Sequence, residues 1–490
     1  MVTTLVPTEG SRLLIDGKMT EGGGGLFATI TPATEEVLGQ VANANAADLD
    51  AAIDAARTAF DETGWSREHA FRARCLLQLR DALQTHVEQL REVTIAEAGA
   101  PAMLTTGPQL EGPITDLGYA AGLAETYTWE TDLGIATPMG IRTHRTLRRE
   151  PIGVVGAITP GNFPHQIGFA KLGPALAAGN TVVLKPSPDT PWCAAAVGEI
   201  IAAETDIPPG VVNIVTSADA TLGSRLTEDP RVDMISFTGS TAVGRRVMAA
   251  ASATVKKTFL ELGGKSAFIV LDDADVAAAC SVAAFSVCVH AGQGCALATR
   301  LLVPRARYDE AVHAAATTLG GITPGDPADP RTVCGPLISG EHRARVERYL
   351  DMARAEGGRI VVGGSRPAHL ERGFFIEPTL IAGLPGTAAP VREEIFGPVL
   401  VIVPHDGDED AVRIANDSPY GLSGSVWGTD SHRIRRVTEG VRTGTLSVNG
   451  GIWYSSDAPF GGYKQSGIGR EMGVMGFEEY LETKLIATAA

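Results

Sequence analysis

Residues 151–204 read PIGVVGAITPGNFPHQIGFAKLGPALAAGNTVVLKPSPDTPWCAAAVGEIIAAE, and this stretch decides the fold. Short β-branched runs at 153–158 and 181–184 alternate with longer apolar segments at 163–178 and 191–204, which are long enough for helices. Such strand–helix alternation predicts a parallel sheet with helices packed on its faces. Ligands bind these sheets at the carboxyl ends of the strands, so we expect functional residues just after each short run.

The same alternation continues toward the C-terminus. Strands are predicted at Val211–Val215 and Met234–Phe237, and helices at Ala220–Thr227 and Ala242–Ala253. A second series of apolar runs follows at Ala267–Leu271, Leu301–Val303, Ile360–Val362, Val399–Val403, Ser425–Trp427 and Thr445–Val448. We therefore expect an α/β protein with two parallel-sheet units.

The two ends of the chain carry separate signals. Leu13–Gly17 predicts a strand that enters an Asp-Gly hairpin turn. The tail Tyr480–Thr488 predicts a strand with no local partner. Because an unpaired terminal strand often completes the sheet of a neighbouring subunit, we expect it to form a subunit contact.

Composition excludes several classes of protein. Of 490 residues, 44% are apolar and 20% charged, which is close to the globular average and excludes a disordered chain. The net charge of −16 disfavours binding to nucleic acid. Val276–Thr299 lacks charged residues, but its apolar part spans only about 14, fewer than the roughly 20 that cross a bilayer.

The six cysteines show no Cys-x-x-Cys pair, and Met1–Arg12 has no basic-then-apolar leader pattern. We expect reduced thiols and a cytoplasmic protein. The spacing of Cys280, Cys288, His290 and Cys295 matches no usual zinc pattern, so no metal site is expected.

Three motifs carry groups suited to catalysis, although each also has a plain structural explanation. Cys295 follows Gly292 and Gly294, which would let a reactant approach the thiol, but most cysteines are buried and inert. Glu261 ends an apolar run and could act as a general base, or could be a surface turn acid. Asn162 lies where a strand meets a helix, and it could donate to an oxyanion or cap the helix.

Other motifs suit a nucleotide. Gly239-Ser240 opens a helix after a strand, where backbone N–H groups favour phosphate, although the Gly-x-Gly-x-x-Gly fingerprint is absent. Lys185 ends a strand and could reach a ribose hydroxyl, or could be a solvent lysine. Glu394 and Phe396 share one face of an extended segment, and they fit a ribose and a nicotinamide, or a capped turn with a core aromatic.

In this order, the motifs resemble the aldehyde dehydrogenase superfamily from about residue 10 to the end. The resemblance rests on Glu261–Lys265, the Cys295 loop, Glu394–Phe396 and Pro459–Lys464 (PFGGYK). It implies a non-phosphorylating, hydrolytic enzyme that oxidises an aldehyde to its carboxylic acid with NAD(P).

The resemblance also implies the domain organisation. Two Rossmann-like parallel-sheet domains are expected: a cofactor-binding domain from residues 1–123 and 150–262, and a catalytic domain from residues 263–463. A small β arm at 124–149 and the segment 464–490 would form the contacts of a homodimer or homotetramer.

The resemblance assigns a role to each catalytic residue. The Cys295 thiolate would attack the aldehyde to give a thiohemiacetal and, after hydride transfer, a thioester. The Asn162 amide and the Cys295 backbone N–H would hold the oxyanion, and Glu261 would activate water to hydrolyse the thioester. Lys171 and Glu471 match a pair proposed to relay protons away from that base.

The cofactor contacts implied by the resemblance are Ile158, Lys185, Ser187, Pro188, Gly239, Ser240, Leu262, Glu394 and Phe396. Pro188 stands where NAD-preferring members often have a glutamate that binds the ribose hydroxyls. Asp189 next to it could restore a carboxylate, so we expect NAD, with NADP as the alternative.

The implied substrate tunnel is apolar and aromatic, and its lining is Phe163, Ile167, Phe285, Trp453, Tyr454 and Phe460. Ala170 stands where a bulky aromatic is common, which predicts a wider tunnel, and Gly161 replaces the aromatic that usually precedes Asn162. Asp457 near the mouth disfavours anionic aldehydes. We expect an uncharged, apolar or aromatic aldehyde as substrate.

Other classes compete with this interpretation. A nitrilase-type amidohydrolase could use Cys295, Glu261 and Lys265, but it would leave the cofactor motifs without a purpose. A non-enzymatic binding protein would require a decayed site, whereas every motif position holds a competent residue. A CoA-acylating aldehyde dehydrogenase often lacks the general-base glutamate, so Glu261 favours hydrolysis by water.

Overall fold

The structure is a computed structural model that describes residues 11–490. Two predictions concern residues that lie largely outside this range. One is the absence of a leader pattern in Met1–Arg12, and the other is the start of the cofactor-binding domain at residue 1.

The described residues form twenty strands, listed here in chain order: β1 (Leu13–Ile15), β2 (Lys18–Thr20), β3 (Leu26–Ile30), β4 (Val37–Ala42), β5 (Glu130–Ala136), β6 (Thr143–Pro151), β7 (Val154–Ile158), β8 (Thr181–Lys185), β9 (Val212–Ile214), β10 (Met234–Thr238), β11 (Lys257–Glu261), β12 (Ala267–Val270), β13 (Arg300–Pro304), β14 (Arg359–Val362), β15 (Thr379–Ala382), β16 (Val399–His405), β17 (Gly424–Trp427), β18 (Ser447–Val448), β19 (Gly467–Ile468) and β20 (Leu481–Ala489). Their helices are α1 (Ala46–Glu62), α2 (His69–Thr85), α3 (Val87–Ala98), α4 (Ala102–Thr105), α5 (Glu111–Thr126), α6 (Pro164–Ala178), α7 (Pro191–Glu204), α8 (Thr221–Glu228), α9 (Thr241–Ala251), α10 (Val276–Ser286), α11 (Tyr308–Gly320), α12 (Gly340–Ala355), α13 (Ala389–Arg392), α14 (Asp408–Asn416), α15 (Ser431–Gly440) and α16 (Gly473–Glu478).

The first sheet has eight strands in the order β19-β11-β10-β7-β8-β9-β1-β2. Its centre, from β11 to β9, is parallel, as the alternation at residues 151–237 predicts. The β1–β2 hairpin turns through Asp16 (φ 52°) and Gly17 (φ 70°), the left-handed pair that an Asp-Gly turn requires.

Helix α6 connects β7 to β8, and the loop that contains Asn162 leads into its first residue, Pro164. Pro164 occupies its first turn, and Gly179 ends it in the left-handed conformation (φ 98°). The helix is buried on nearly every side because α2, α5, α7, α16 and β8 all pack against it. Its side chains are therefore fixed in place beside the site.

The second sheet has seven strands in the order β14-β15-β16-β13-β12-β17-β18. All its pairs are parallel except β14–β15, so the run predicted at Ile360–Val362 is an antiparallel edge strand. The last predicted run, Thr445–Val448, is shortened to the two residues of β18.

A separate three-stranded antiparallel sheet has the order β20-β6-β5. The terminal strand has no local partner, as predicted, but it does pair within the chain. Residues from Leu481 to Ala489 pair in unbroken register with Pro151 to Thr143, a strand more than three hundred residues earlier in the chain. A pairing partner this distant leaves no local sequence signal.

None of the helices formed by residues 11–490 combines the length and the apolar character needed to span a membrane.

Candidate active site

A cavity of about 230 Å³ lies where β7 and β11 end. Asn162, Glu261, Cys295 and Glu471 line it, so the structure brings together four of the five predicted catalytic residues. Of the predicted tunnel residues, Phe163, Ile167, Trp453, Tyr454 and Phe460 also line it, and the rings of Trp453 and Phe460 stack with centroids 5.1 Å apart.

The prediction that Phe285 lines the tunnel needs correction. The residue is near the end of α10, is 42% exposed and is not part of the lining of this cavity. The resemblance places this residue in the tunnel by its motif position, but here the turn at Val289–Gly292 stands between it and Cys295 in the chain.

That turn presents Cys295 to the cavity. His290, Ala291 and Gly292 have φ values of 50°, 52° and 73°, so three consecutive residues are left-handed. Only glycine fits at 292, because a Cβ there would lie 2.1 Å from the carbonyl oxygen of Gly397. Burial raises the pKa of the Cys295 thiol well above its usual range, and the carboxyl of Glu261 raises it further.

Glu261 is a buried carboxyl with free acceptors. It is 1% exposed, and neither of its oxygens has a hydrogen-bond partner among the described residues. Burial raises its pKa well above the usual range; Glu471 adds to this effect and Lys171 opposes it. A carboxylate of raised basicity that faces a cavity is suited to accept a proton from water.

Asn162 is held from three directions. Its side-chain Nδ2 donates to the carbonyl oxygen of Gln293 at 2.7 Å, which leaves its second N–H available. Its own backbone oxygen accepts from Gln109 Nε2 at 2.9 Å and is 2.8 Å from His290 Nε2. Burial lowers the pKa of His290 to about 4, so the ring is neutral near pH 7 and donates through Nε2.

Gln109 and His290 are the supporting residues that the sequence analysis missed. They lie 53 and 128 residues from Asn162, and no spacing or motif links them to it. Only His290 could have been suspected of a role from the sequence, because it is a lone histidine five residues before Cys295 in a stretch without Asp, Glu, Lys or Arg.

Lys171 and Glu471 form a buried ion pair. Lys171 Nζ lies 2.9 Å from Glu471 Oε1, with side-chain exposures of 0% and 7%. Lys171 also lies over the ring of Phe259, 4.8 Å from its centroid. Glu471 lines the thiol cavity and raises the pKa of Glu261, and its partner Lys171 is a buried residue of α6. The ion pair therefore links the cavity to that helix.

A second cleft, of about 500 Å³, opens at the carboxyl ends of β7, β8 and β10. Six of the nine predicted cofactor residues line it, namely Ile158, Lys185, Ser187, Pro188, Gly239 and Ser240. Helix α9 begins here, and Ser240 Oγ accepts from Val243 N at 3.3 Å. The helix N-terminus favours an anion, and a Cβ on Gly239 would lie 2.5 Å from the Phe237 ring.

The other three predicted cofactor residues lie outside that cleft lining. Leu262 packs close to Gly244 of α9. Glu394 Oε1 accepts from Gly264 N at 2.9 Å, and its charge raises the pKa of Cys295, so it stands near the thiol. Phe396 has a left-handed backbone (φ 65°).

Two remaining expectations concern side chains near these cavities. Asp189, beside Pro188, has Oδ2 3.1 Å from Ser187 Oγ, but Asp189 itself is not part of the lining of this cleft. Lys265 is 1% exposed, its Nζ lacks a partner among the described residues, and burial lowers its pKa to about 7. It does not line the thiol cavity, where an amidohydrolase would need it.

Across residues 11–490, no group of three or more histidine, cysteine or acidic side chains is placed to hold a metal ion. Cys280 and Cys288 are buried, and burial raises the pKa of each thiol to about 12.

Comparison with known proteins gives one consistent result. The sequence model of the aldehyde dehydrogenase family matches residues 19–486. A geranial dehydrogenase from Castellaniella defragrans is 41% identical over 93% of this chain and 94% of its own length. A 3-succinoylsemialdehyde-pyridine dehydrogenase from a Pseudomonas species is 42% identical over 96% of this chain and 97% of its own.

Solved structures agree with these relatives. The Mycobacterium tuberculosis aldehyde dehydrogenase complexed with NAD+ superposes with a TM-score of 0.93 at 42% identity. The match covers 98% of each chain.

Proposed function

Since this chain belongs to the aldehyde dehydrogenase family and oxidises aldehydes, we propose that Cys295 is its nucleophile and that Glu261 and Asn162 complete the reaction centre. The observation that carries this assignment is the convergence of all three side chains on one cavity from distant parts of the sequence. The comparisons favour aldehyde oxidation over the amidohydrolase, acyl-CoA and non-enzymatic alternatives.

The Cys295 thiolate attacks the aldehyde carbon, and the new C–S bond converts the carbonyl oxygen to an oxyanion. The free N–H of the Asn162 amide and the Cys295 backbone N–H stabilise that oxygen. The carbon then loses a hydride and becomes a thioester. Glu261 takes a proton from water, whose oxygen adds to the thioester; the C–S bond breaks, and the carboxylic acid leaves.

Homologous structures contain NAD+. The residues of the second cleft fit that group, because a glycine-opened helix N-terminus suits a pyrophosphate and Lys185 ends a neighbouring strand. When bound, the nicotinamide accepts the hydride. We propose NAD over NADP because NAD+ is the cofactor held by the homologous structures.

The substrate we propose is an uncharged aldehyde with an apolar or aromatic body. The cavity that holds Cys295 is lined by Phe163, Ile167, Trp453, Tyr454 and Phe460, and it contains no arginine or lysine side chain. The relatives named for geranial and for a pyridine semialdehyde support this choice.

A single plate assay tests the proposal. Nicotinamide reduction is followed with hydrophobic, aromatic and anionic aldehydes, each with NAD and with NADP, for the parent and for Cys295→Ala. We expect reduction with hydrophobic and aromatic aldehydes, faster with NAD, and none in the variant. Activity that survives in Cys295→Ala, or a preference for succinic semialdehyde, contradicts the assignment.

We also infer a homo-oligomer in a reducing compartment such as the cytoplasm. The β20-β6-β5 sheet ends in two edge strands, and eight of the nine residues of β20 are exposed. The six cysteines are all free thiols, and the chemistry needs Cys295 reduced. Recovery of the protein from the periplasmic or secreted fraction of its host contradicts the compartment.

A further inference from the structure

Building on the proposed function, we propose that the substrate cavity continues past Ala170 into a side chamber that receives a second arm of the substrate. The preferred aldehydes then carry, on an apolar body, a short arm that ends in a hydroxyl group or in an amino group, and the positive charge of the amino tip is the one exception to the uncharged class proposed above.

The side chamber adjoins the substrate cavity directly. It lies between α5 and α6 and shares four lining residues with the thiol cavity, namely Gln166, Ala170, Tyr454 and Met472. Its volume is about 50 Å³. At about 10–15 Å³ for each water-sized group, that is room for roughly three to five non-hydrogen atoms.

Small side chains on α6 create this space. Ala170 and Gly173 are three residues apart and share one face of the helix. A Cβ on Gly173 would lie 3.3 Å from both Ala120 and Leu117 of α5, so the helices approach closely there. Position 170 lines both spaces, so a bulky side chain there would occupy the chamber, whereas the alanine methyl leaves that volume free.

The lining of the chamber is mostly apolar and includes several polar side chains. Pro113, Leu123 and Phe169 supply the apolar wall. Asp116, Tyr119 and Ser456 supply polar groups. The arm should therefore have an apolar stem and a polar tip.

Asp116 decides which polar tip fits. Burial of this half-buried carboxyl raises its pKa and the Ser456 side chain opposes that shift, so the carboxylate has lost part of its hydration. A poorly hydrated carboxylate gains most from a hydrogen-bond donor. The negative charge of Asp457 contributes to a raised pKa of Tyr119, so Asp457 lies near the chamber. A carboxylate-tipped arm would therefore meet the charges of both Asp116 and Asp457. A hydroxyl or amino tip is favoured, and an acidic tip is rejected.

The probes are benzaldehydes that differ only in one substituent: hydrogen, propyl, 2-hydroxyethyl, 2-(dimethylamino)ethyl or carboxymethyl, each at the meta and para positions, because a tertiary amine cannot condense with the aldehyde and these positions prevent ring closure. The readout is the ratio of kcat/KM for each substituted aldehyde to that of benzaldehyde. At one ring position, we expect the hydroxyl and amino arms to raise this ratio about tenfold over the propyl arm, and the acidic arm to lower it.

Two variants and one control variant locate the effect. Asp116→Asn should remove most of the advantage of the amino arm over the propyl arm, whereas Glu125→Gln, at an exposed acid of the same helix, should leave it. Ala170→Leu should narrow the passage and reduce the ratio for every substituent, including propyl. Thermal unfolding and NAD binding of each variant check that it folds.

The outcomes separate this inference from the function on which it rests. If no aldehyde is oxidised, the proposed function fails. If benzaldehyde is oxidised but no substituted form is preferred, only the side chamber is refuted. Equal effects of Asp116→Asn and Glu125→Gln, or an unchanged ratio in Ala170→Leu, also overturn it.

Discussion

The Cys295 thiol stands in surroundings that disfavour its thiolate. Burial and the carboxyls of Glu261, Glu394 and Glu471 all raise its pKa. Because the thiolate is the reactive form, the rate of alkylation by neutral iodoacetamide should rise with pH throughout the range from pH 7 to 10. Adding NAD+, which brings a positive nicotinamide ring, should shift this profile toward lower pH by about one unit or more.

The other five cysteines are buried, so the Cys295→Ala variant supplies the background rate for this experiment. A profile that is already flat at pH 7 without cofactor would show that the thiol is ionised in the free enzyme. A profile unmoved by NAD+ would show that the cofactor charge does not reach the sulfur.

Glu261 is expected to act in hydrolysis of the thioester. Glu261→Gln keeps the shape of the side chain but removes the base, so turnover should fall about 10²- to 10⁴-fold. Hydride transfer precedes hydrolysis, so the variant should still release one equivalent of reduced cofactor in a rapid first turnover. Rapid-mixing absorbance measurements distinguish this burst from the slow steady state.

Glu97→Gln is the matched control, because Glu97 is also a fully buried carboxyl but accepts hydrogen bonds from Trp192 N and Cys193 N, far from the cavity lining. It should show no burst and near-normal turnover. Loss of the burst in Glu261→Gln would place Glu261 in formation of the thioester as well.

At the scale of elements, the Lys171–Glu471 pair joins helix α6 to the segment that precedes α16. Glu471 raises the pKa of Glu261 and Lys171 lowers it. Glu471→Gln should therefore move the acid limb of the kcat–pH profile to lower pH, and Lys171→Met should move it to higher pH. Shifts in the same direction would show that the pair acts on the rate by another route.

The same pair should contribute strongly to stability when only one partner is lost. The single variants Lys171→Met and Glu471→Leu each leave a buried charge uncompensated, at a cost of about 3–5 kcal/mol, whereas the Lys171→Met/Glu471→Leu double variant should lose less. Denaturant unfolding of the four proteins measures this coupling. Additive losses would indicate that the two side chains do not interact in solution.

Local patterns were sufficient for the elements that hold the site. The runs at 153–158, 181–184 and 234–237 become parallel strands; Lys185 ends one of them, and the loops that follow the other two carry Asn162 and Gly239. The spacing of apolar residues and the identity of turn residues encode such elements, because the interactions that form them are short-range.

Contacts between distant segments could not be predicted in this way. The pairing of β20 with β6, and the bonds from Gln109 and His290 to Asn162, join residues far apart in sequence. The motif position of Phe285 predicts it in the tunnel, but it lies outside the cavity lining. Three left-handed residues stand between it and Cys295 in the chain. Such contacts arise only when the chain folds, and they leave no local pattern in the sequence.

At the scale of the whole molecule, the β20-β6-β5 sheet stands apart from the two larger sheets and exposes apolar side chains. Ile135 is 53% exposed, Leu485 58%, Ile141 62% and Met139 fully. An exposed apolar surface beside unpaired strand edges is a site for association, and a second copy of this chain is the partner that we infer.

The parent protein should therefore sediment as a dimer or tetramer, and the paired substitution Ile135→Glu/Leu485→Glu should dissociate it, because association would bury the added charges. Met352→Glu places the same charge at an exposed apolar position of α12, 38% exposed, and should leave the oligomer intact. Analytical ultracentrifugation measures the mass, and the far-UV circular dichroism spectrum checks the fold. A monomeric parent, or an Ile135→Glu/Leu485→Glu variant of unchanged mass, would show that this sheet is not the interface.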